Sequence, residues 1–94
     1  MKRIWKYDLK ENGVTTIQGR IRNIKTIMVQ DGIPRIWIEM DDDCDEISID
    51  IVSIGTGWEI PAEVLSKMEY INSVIVGDYV WHYHWTMTPR EEKK

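Results

Sequence analysis

The chain has 94 residues, 43% of them apolar and 30% charged, with a formal net charge of −4. That gives room for one domain with one modest core; it is too apolar for a disordered chain and too acidic for long nucleic acid, whose phosphates need a positive field. The single cysteine, Cys44, excludes an internal disulfide and fits a reducing compartment, Met1 to Lys6 lack the apolar stretch of a signal peptide, and no apolar run approaches the ~18 residues of a spanning helix, so a cytoplasmic location without a membrane partner is expected.

Arg3 to Leu9 alternates, with Trp5, Tyr7 and Leu9 on one face and Ile4, Lys6 and Asp8 on the other, which is the pattern of a half-buried strand. Glu11-Asn12-Gly13 turns the chain, and the β-branched run Val14 to Ile17 makes a second short strand. Gly19 to Gln30 reads as one longer strand with apolar residues on both parities, which predicts a bend, a bulge or two-sided burial. Asp31-Gly32 between apolar runs predicts a hairpin. The returning strand, Arg35 to Met40, sends Ile36, Ile38 and Met40 inward. It leaves Trp37 on the polar face, where an indole needs cover from another chain, a ligand or the far side of a barrel.

Asp41 to Asp45 is an acidic loop. Ile47, Ile49 and Ile51 then alternate with Glu46, Ser48 and Asp50, and the parity slip through Val52 and Ile54 predicts a bulge near Val52-Ser53. Gly55-Thr56-Gly57 turns the chain into Trp58, and Pro61 opens a helix of at most two turns with Val64, Leu65 and Met68 as its apolar contacts. Tyr70 to Val76, the turn Gly77-Asp78 and the closing strand Tyr79 to Thr86 complete the domain. That last strand places Tyr79, Trp81, Tyr83 and Trp85 on one face and Val80, His82 and His84 on the other. The fold expected is mainly β: a small antiparallel β-sandwich or partly open β-barrel of about seven short strands with one short helix after Pro61. One domain spans residues 1–88, followed by a charged tail, 89–94.

Catalytic templates are missing from the sequence: it has no GxSxG elbow, Walker loop or HExxH. Gly55-Thr56-Gly57 is a fragment of a dinucleotide fingerprint without the third glycine or the long helix. Cys44 sits among aspartates, which raise a thiol pKa and disfavour a nucleophile. His82 and His84 share a face at a spacing that can hold a metal, but no third ligand is singled out, and neither a metal nor a cofactor is expected. The acidic loop lacks the glycine and terminal glutamate of an EF-hand. What remains is binding chemistry. Trp37 and Trp58 have no obvious core address, Arg20, Arg22 and Arg35 are the natural anion partners, and the amides of Gly55, Thr56 and Gly57 can form an anion nest. The four aromatics of the last strand serve either as core or as a stacking platform.

Four motifs in this order have a family likeness: Ile4-Trp5-Lys6-Tyr7, Val29-Gln30-Asp31-Gly32-Ile33-Pro34-Arg35-Ile36-Trp37, Ile54-Gly55-Thr56-Gly57-Trp58-Glu59-Ile60-Pro61 and Tyr70-Ile71-Asn72-Ser73-Val74. Together they resemble a family of small proteins encoded by bacteriophages and prophages and classed as a domain of unknown function. The resemblance covers nearly the whole chain. In the family pattern a histidine follows Gly-Thr-Gly; Trp58 stands there in this chain, so chemistry resting on that histidine does not carry over. The resemblance implies a phage accessory protein and supplies no catalytic residue. Two functions follow as expectations. One is a homo-oligomeric, non-enzymatic module that sequesters a cyclic nucleotide or related small anionic immune signal. The other is a protein-interaction inhibitor of a host enzyme, or a minor structural component, using the acidic loop.

Overall fold

A computed structural model describes residues 1–89 of the chain. Within them lie seven strands and one helical turn: β1 (Lys2–Asp8), β2 (Val14–Gly19), β3 (Ile21–Gln30), β4 (Ile33–Asp41), β5 (Ile47–Gly55), α1 (Ala62–Leu65), β6 (Glu69–Val76) and β7 (Tyr79–Met87). They form two antiparallel sheets, ordered β1-β4-β3 and β2-β5-β7-β6, with no closed barrel. The charged tail expected at 89–94 lies, from Arg90 onward, outside the described residues.

Both predicted hairpins form, each for a backbone reason. Asp31 and Gly32 have φ of +54° and +75°, the two left-handed positions of a type I′ turn, and Gln30 pairs with Ile33 across it. At the other hairpin Gly77 has φ +59°, and Val76 pairs with Tyr79.

The core lies between the sheets and is built mainly of isoleucine. Ile36 and Ile38 from β4 meet Ile49 and Ile51 from β5, with Leu9, Ile17, Ile27, Met40 and Tyr83 around them. The inward alternation predicted for β4 therefore holds. Two buried polar groups fasten the chain where it crosses from sheet to sheet after β1. The Tyr83 hydroxyl donates to the Lys10 carbonyl at 2.8 Å, and the Gly13 N–H donates to Ser53 Oγ at 2.9 Å. Burial pushes the Tyr83 phenol up to about 12, with the charge of Glu11 adding to the effect.

Three expectations are corrected. The long strand from Gly19 is divided at Arg20, because β2 belongs to one sheet and β3 to the other. No bulge occurs at Val52-Ser53: β5 keeps unbroken register with β7 through Gly55, and Ile54 is buried despite its outward parity. The irregularities sit in β3, at Arg22 and Lys25, where the mixed parity of Gly19 to Gln30 predicts a bulge, and in β6, at Ile71. Finally, α1 buries none of its residues. Val64 and Leu65 are exposed and Met68 is half-buried, so the helix is a bend in a connection whose apolar side chains are only partly covered.

The bulged edges of β3 and β6 meet at one corner. There the Asn72 side chain accepts from the Ile27 N–H at 2.9 Å and donates to the Ile27 carbonyl at 2.8 Å. A side-chain amide thus does the work of one strand residue and joins the two sheets.

Candidate functional site

The loop after β5 is built around Trp58. Its N–H donates to the Gly55 carbonyl at 3.2 Å, and Gly57, with φ +84°, takes the left-handed third position of the turn. The indole folds back over Gly55. A Cβ at that position would lie 2.6 Å from Trp58 Cε2 and Nε1, so only glycine leaves room for the ring. The Trp58 ring stands edge-on to Trp81 with centroids 5.5 Å apart, and Tyr79 lies 6.3 Å beyond Trp81. Gly55, Thr56, Trp58, Asp78, Tyr79 and Trp81 line an open hollow of about 410 Å³ at the end of the second sheet. Trp58 is 49% exposed and Tyr79 68%, so two of the three rings present free surface. Trp81 carries a buried indole N–H with no hydrogen-bond partner among the described residues.

Behind the loop runs a chain of hydroxyl and imidazole groups. His82 Nε2 is hydrogen-bonded to Thr56 Oγ1 at 2.7 Å, His82 Nδ1 to Ser73 Oγ at 2.6 Å, and Ser73 Oγ to the Tyr70 hydroxyl at 2.7 Å. This chain ties the Trp58 turn to β6 and β7. Both ring nitrogens of His82 are thereby occupied. Among the described residues no three or more His, Cys, Asp or Glu side chains are grouped to hold a metal.

The residues singled out from the sequence fall in four places. Gly55, Thr56 and Trp58 line the aromatic hollow, with Gly57 as the turn residue that lets Trp58 fold back. Arg20 borders a small hollow of about 220 Å³ beside β1 and donates to the Cys44 carbonyl at 2.7 Å. Arg22 borders a cleft of about 350 Å³ at the β3–β6 corner and contacts Asp41 at 3.3 Å and Glu39 at 3.7 Å. Arg35 and Trp37 lie on the outward side of β4. There Arg35 meets Asp8 and Gln30, each at 2.8 Å, and Trp37 is half-buried between Lys6 and Thr26 in register. One protomer therefore does not gather the arginines with the Trp58 loop.

The last strand's aromatic face divides by position. Tyr83 is core, Trp81 and Trp85 are half-buried against it, and Tyr79 is exposed. Tyr79 and Trp81 join the hollow because strand parity sends them to the side over which Trp58 folds. The sequence cue was their shared parity with Tyr83; it did not reveal which end of the strand runs past the core.

The chain is thus a seven-stranded, two-sheet β domain with an aromatic hollow at one end. The family model described as Domain of unknown function (DUF7352) matches residues 1–94, and the chain belongs to that family. Comparison with curated proteins and with solved structures finds no match. No helix among the described residues is long and apolar enough to cross a membrane.

Proposed function

We propose that the protein is a non-enzymatic binding module that takes the flat ring of a nucleobase-containing small molecule into the Trp58–Tyr79–Trp81 hollow. The observation that carries this reading is the seat of Trp58, a large indole held half-exposed by a turn whose glycine is needed to make space for it. Base–aromatic stacking is worth roughly 1–3 kcal/mol per base, and the exposed faces of Trp58 and Tyr79 offer the surface for it. Among the described residues no Lys or Arg lines the hollow, and Asp78 does, so the base, rather than the phosphate, is the part of a nucleotide that this lining suits. In the phage setting implied by the motif resemblance, the role is an accessory protein of the host cytoplasm that withholds a nucleotide signal from antiphage defence. Calorimetric titration with a panel of nucleosides and their mono- and cyclic nucleotides tests it. At least one purine or pyrimidine ligand should bind, with the nucleoside no weaker than its phosphorylated form, and Trp58→Ala should remove binding while the far-ultraviolet circular dichroism is kept. Absence of binding across the panel overturns the proposal.

A second reading rests on the acidic loop, where Asp42, Asp43, Asp45 and Glu46 are all exposed. It makes the loop an anionic docking surface for a host protein. A stoichiometric host partner, captured by the native chain and lost with D42K/D43K, would favour it over the ligand module.

A further inference from the structure

The first strand is an edge with an unusual degree of exposure. Four strands are edges here: β1 and β3 in one sheet, β2 and β6 in the other. Bulges interrupt β3 and β6, and Asn72 bridges them. Strand β2 offers polar side chains beside a single exposed apolar one, Val14. Strand β1 has seven residues in unbroken register with β4, without proline or bulge. Its free side bears Ile4 at 59% and Trp5 at 50% exposure. Edges of this kind are open templates for another strand.

We propose that β1 pairs antiparallel with β1 of a second copy, making one continuous six-stranded sheet about a two-fold axis at Trp5. The register follows from side-chain parity and charge. Opposed residues must point to the same side of a shared sheet, which allows pairing centred on a residue and not between two. Centring on Ile4 sets Lys2 against Lys6, and centring on Lys6 sets that lysine against itself. Both oppose like charges. Centring on Trp5 pairs the entire strand: Lys2 with Asp8, Arg3 with Tyr7, Ile4 with Lys6 and Trp5 with its own copy. Asp8 is 65% exposed while it contacts Arg35, which leaves a carboxylate edge for Lys2 of the partner subunit. Arg3 against Tyr7 sets a guanidinium beside a phenol ring, and the Lys6 stem can lie along Ile4. The symmetric pairing covers Trp5, which borders the small hollow with Arg3, Tyr7 and Arg20. This interface stands apart from the Trp58 hollow, so it holds or fails independently of the ligand.

Sedimentation equilibrium of the native chain, with cysteine cross-linking in a Cys44→Ser background, tests the proposal. A dimer is expected, and Trp5→Cys should form a disulfide-linked dimer in air, because directly opposed Cβ atoms lie roughly 4.5–5.5 Å apart. Lys2→Cys should not cross-link, since the two copies of that position are roughly 20 Å apart at about 3.4 Å per residue. Lys2→Asp places two like-charged pairs in the interface and should raise the dimer dissociation constant on the order of tenfold. A native chain that sediments as a monomer at 100 μM overturns the proposal. So does a dimer that cross-links through Lys2→Cys as readily as through Trp5→Cys.

Discussion

Gly55→Ala is the substitution whose effect follows most directly from the geometry of the Trp58 turn. The new methyl would meet the indole at 2.6 Å from two ring atoms and 3.0 Å from a third, well inside ordinary contact. Gly55 is not among the residues of positive φ, so alanine fits the backbone there and the conflict is with the ring alone. The indole must leave its seat. Trp58 is 49% exposed, so leaving uncovers about half of an indole's surface, roughly 100 Å², or about 2.5 kcal/mol at 25 cal/mol per Å². Loss of the edge-on contact with Trp81 adds roughly 0.5–1.5 kcal/mol, and the stiffer unfolded chain returns roughly 0.4–1 kcal/mol. The net cost is about 2–3.5 kcal/mol, or a fall in Tm of roughly 8–28 °C for a domain of this size. Thermal and urea unfolding followed by circular dichroism measure it. The decisive comparison is the double variant. In a Trp58→Ala background there is no ring to collide with, so Gly55→Ala should become neutral or stabilise by roughly 0.4–1 kcal/mol. An equal cost in both backgrounds would refute the reasoning and make Gly55 a backbone requirement.

Three further outcomes can be checked on the same purified protein. Tyr83 is neutral when buried and titrates near 12 in the folded chain, against its ordinary 10.0; its contribution is therefore whole below pH 10 and lost as pH rises from 10 toward 12. Tyr83→Phe should flatten alkaline unfolding in that window and, by leaving the Lys10 carbonyl without its donor, cost roughly 1–2 kcal/mol at neutral pH. Asp41 is held below its ordinary 3.8, first by the Asp43 N–H and then by Arg22, against the opposing effect of its burial. Its stabilisation is present above that value and lost as pH falls through the lower folded one, so Asp41→Asn should make acid unfolding less steep below pH 4. Asn72→Ala strips the partner from both polar groups of the buried Ile27 backbone; a loss of roughly 2–4 kcal/mol should come with fast hydrogen exchange at the Ile27 amide.

The legible parts of the fold are those set by local chemistry. Asp31-Gly32 and Gly77-Asp78 announce hairpins because few other residue pairs accept their backbone angles, and the strict alternation of Ile36, Ile38 and Met40 needs no knowledge of what lies opposite. Ile54 shows where this fails. An apolar residue on the outward parity reads as a bulge, yet the register stays whole and the outward side is itself covered at that position. Coverage is a tertiary property. The site divides in the same way. Trp58 is recognisable from sequence as an indole without a core address, whereas the reason for Gly55 is not, because only the folded turn brings the ring over it. Asn72 passes for an ordinary strand residue until its partner, 45 positions away, is known.

The arginines bear on which part of the proposed ligand the chain would grip. In sequence Arg20, Arg22 and Arg35 look like a basic cluster, but the carboxylates Arg22 and Arg35 contact most closely, Asp41 and Asp8, come from distant positions that the strand pairing brings alongside. Arg35 is 15% exposed and joined to Asp8, and its second contact, Gln30 Oε1, also receives Lys6 Nζ at 3.1 Å. Arg22 and Lys25 are the two bulge residues of β3, and both reach Glu39. Turning Arg22 or Arg35 toward a phosphate would take the counter-charge from a carboxylate, Asp41 or Asp8, most severely at Asp41, which is only 4% exposed. Exposed ion pairs are individually weak; a buried carboxylate left alone is not. Arg22, Lys25 and Arg35 thus serve the first sheet's own acids, whereas Trp58 and Tyr79 at the end of the second sheet are exposed. Under the proposed binding role the ligand would be recognised by its flat ring, and added negative charge should weaken rather than strengthen its hold.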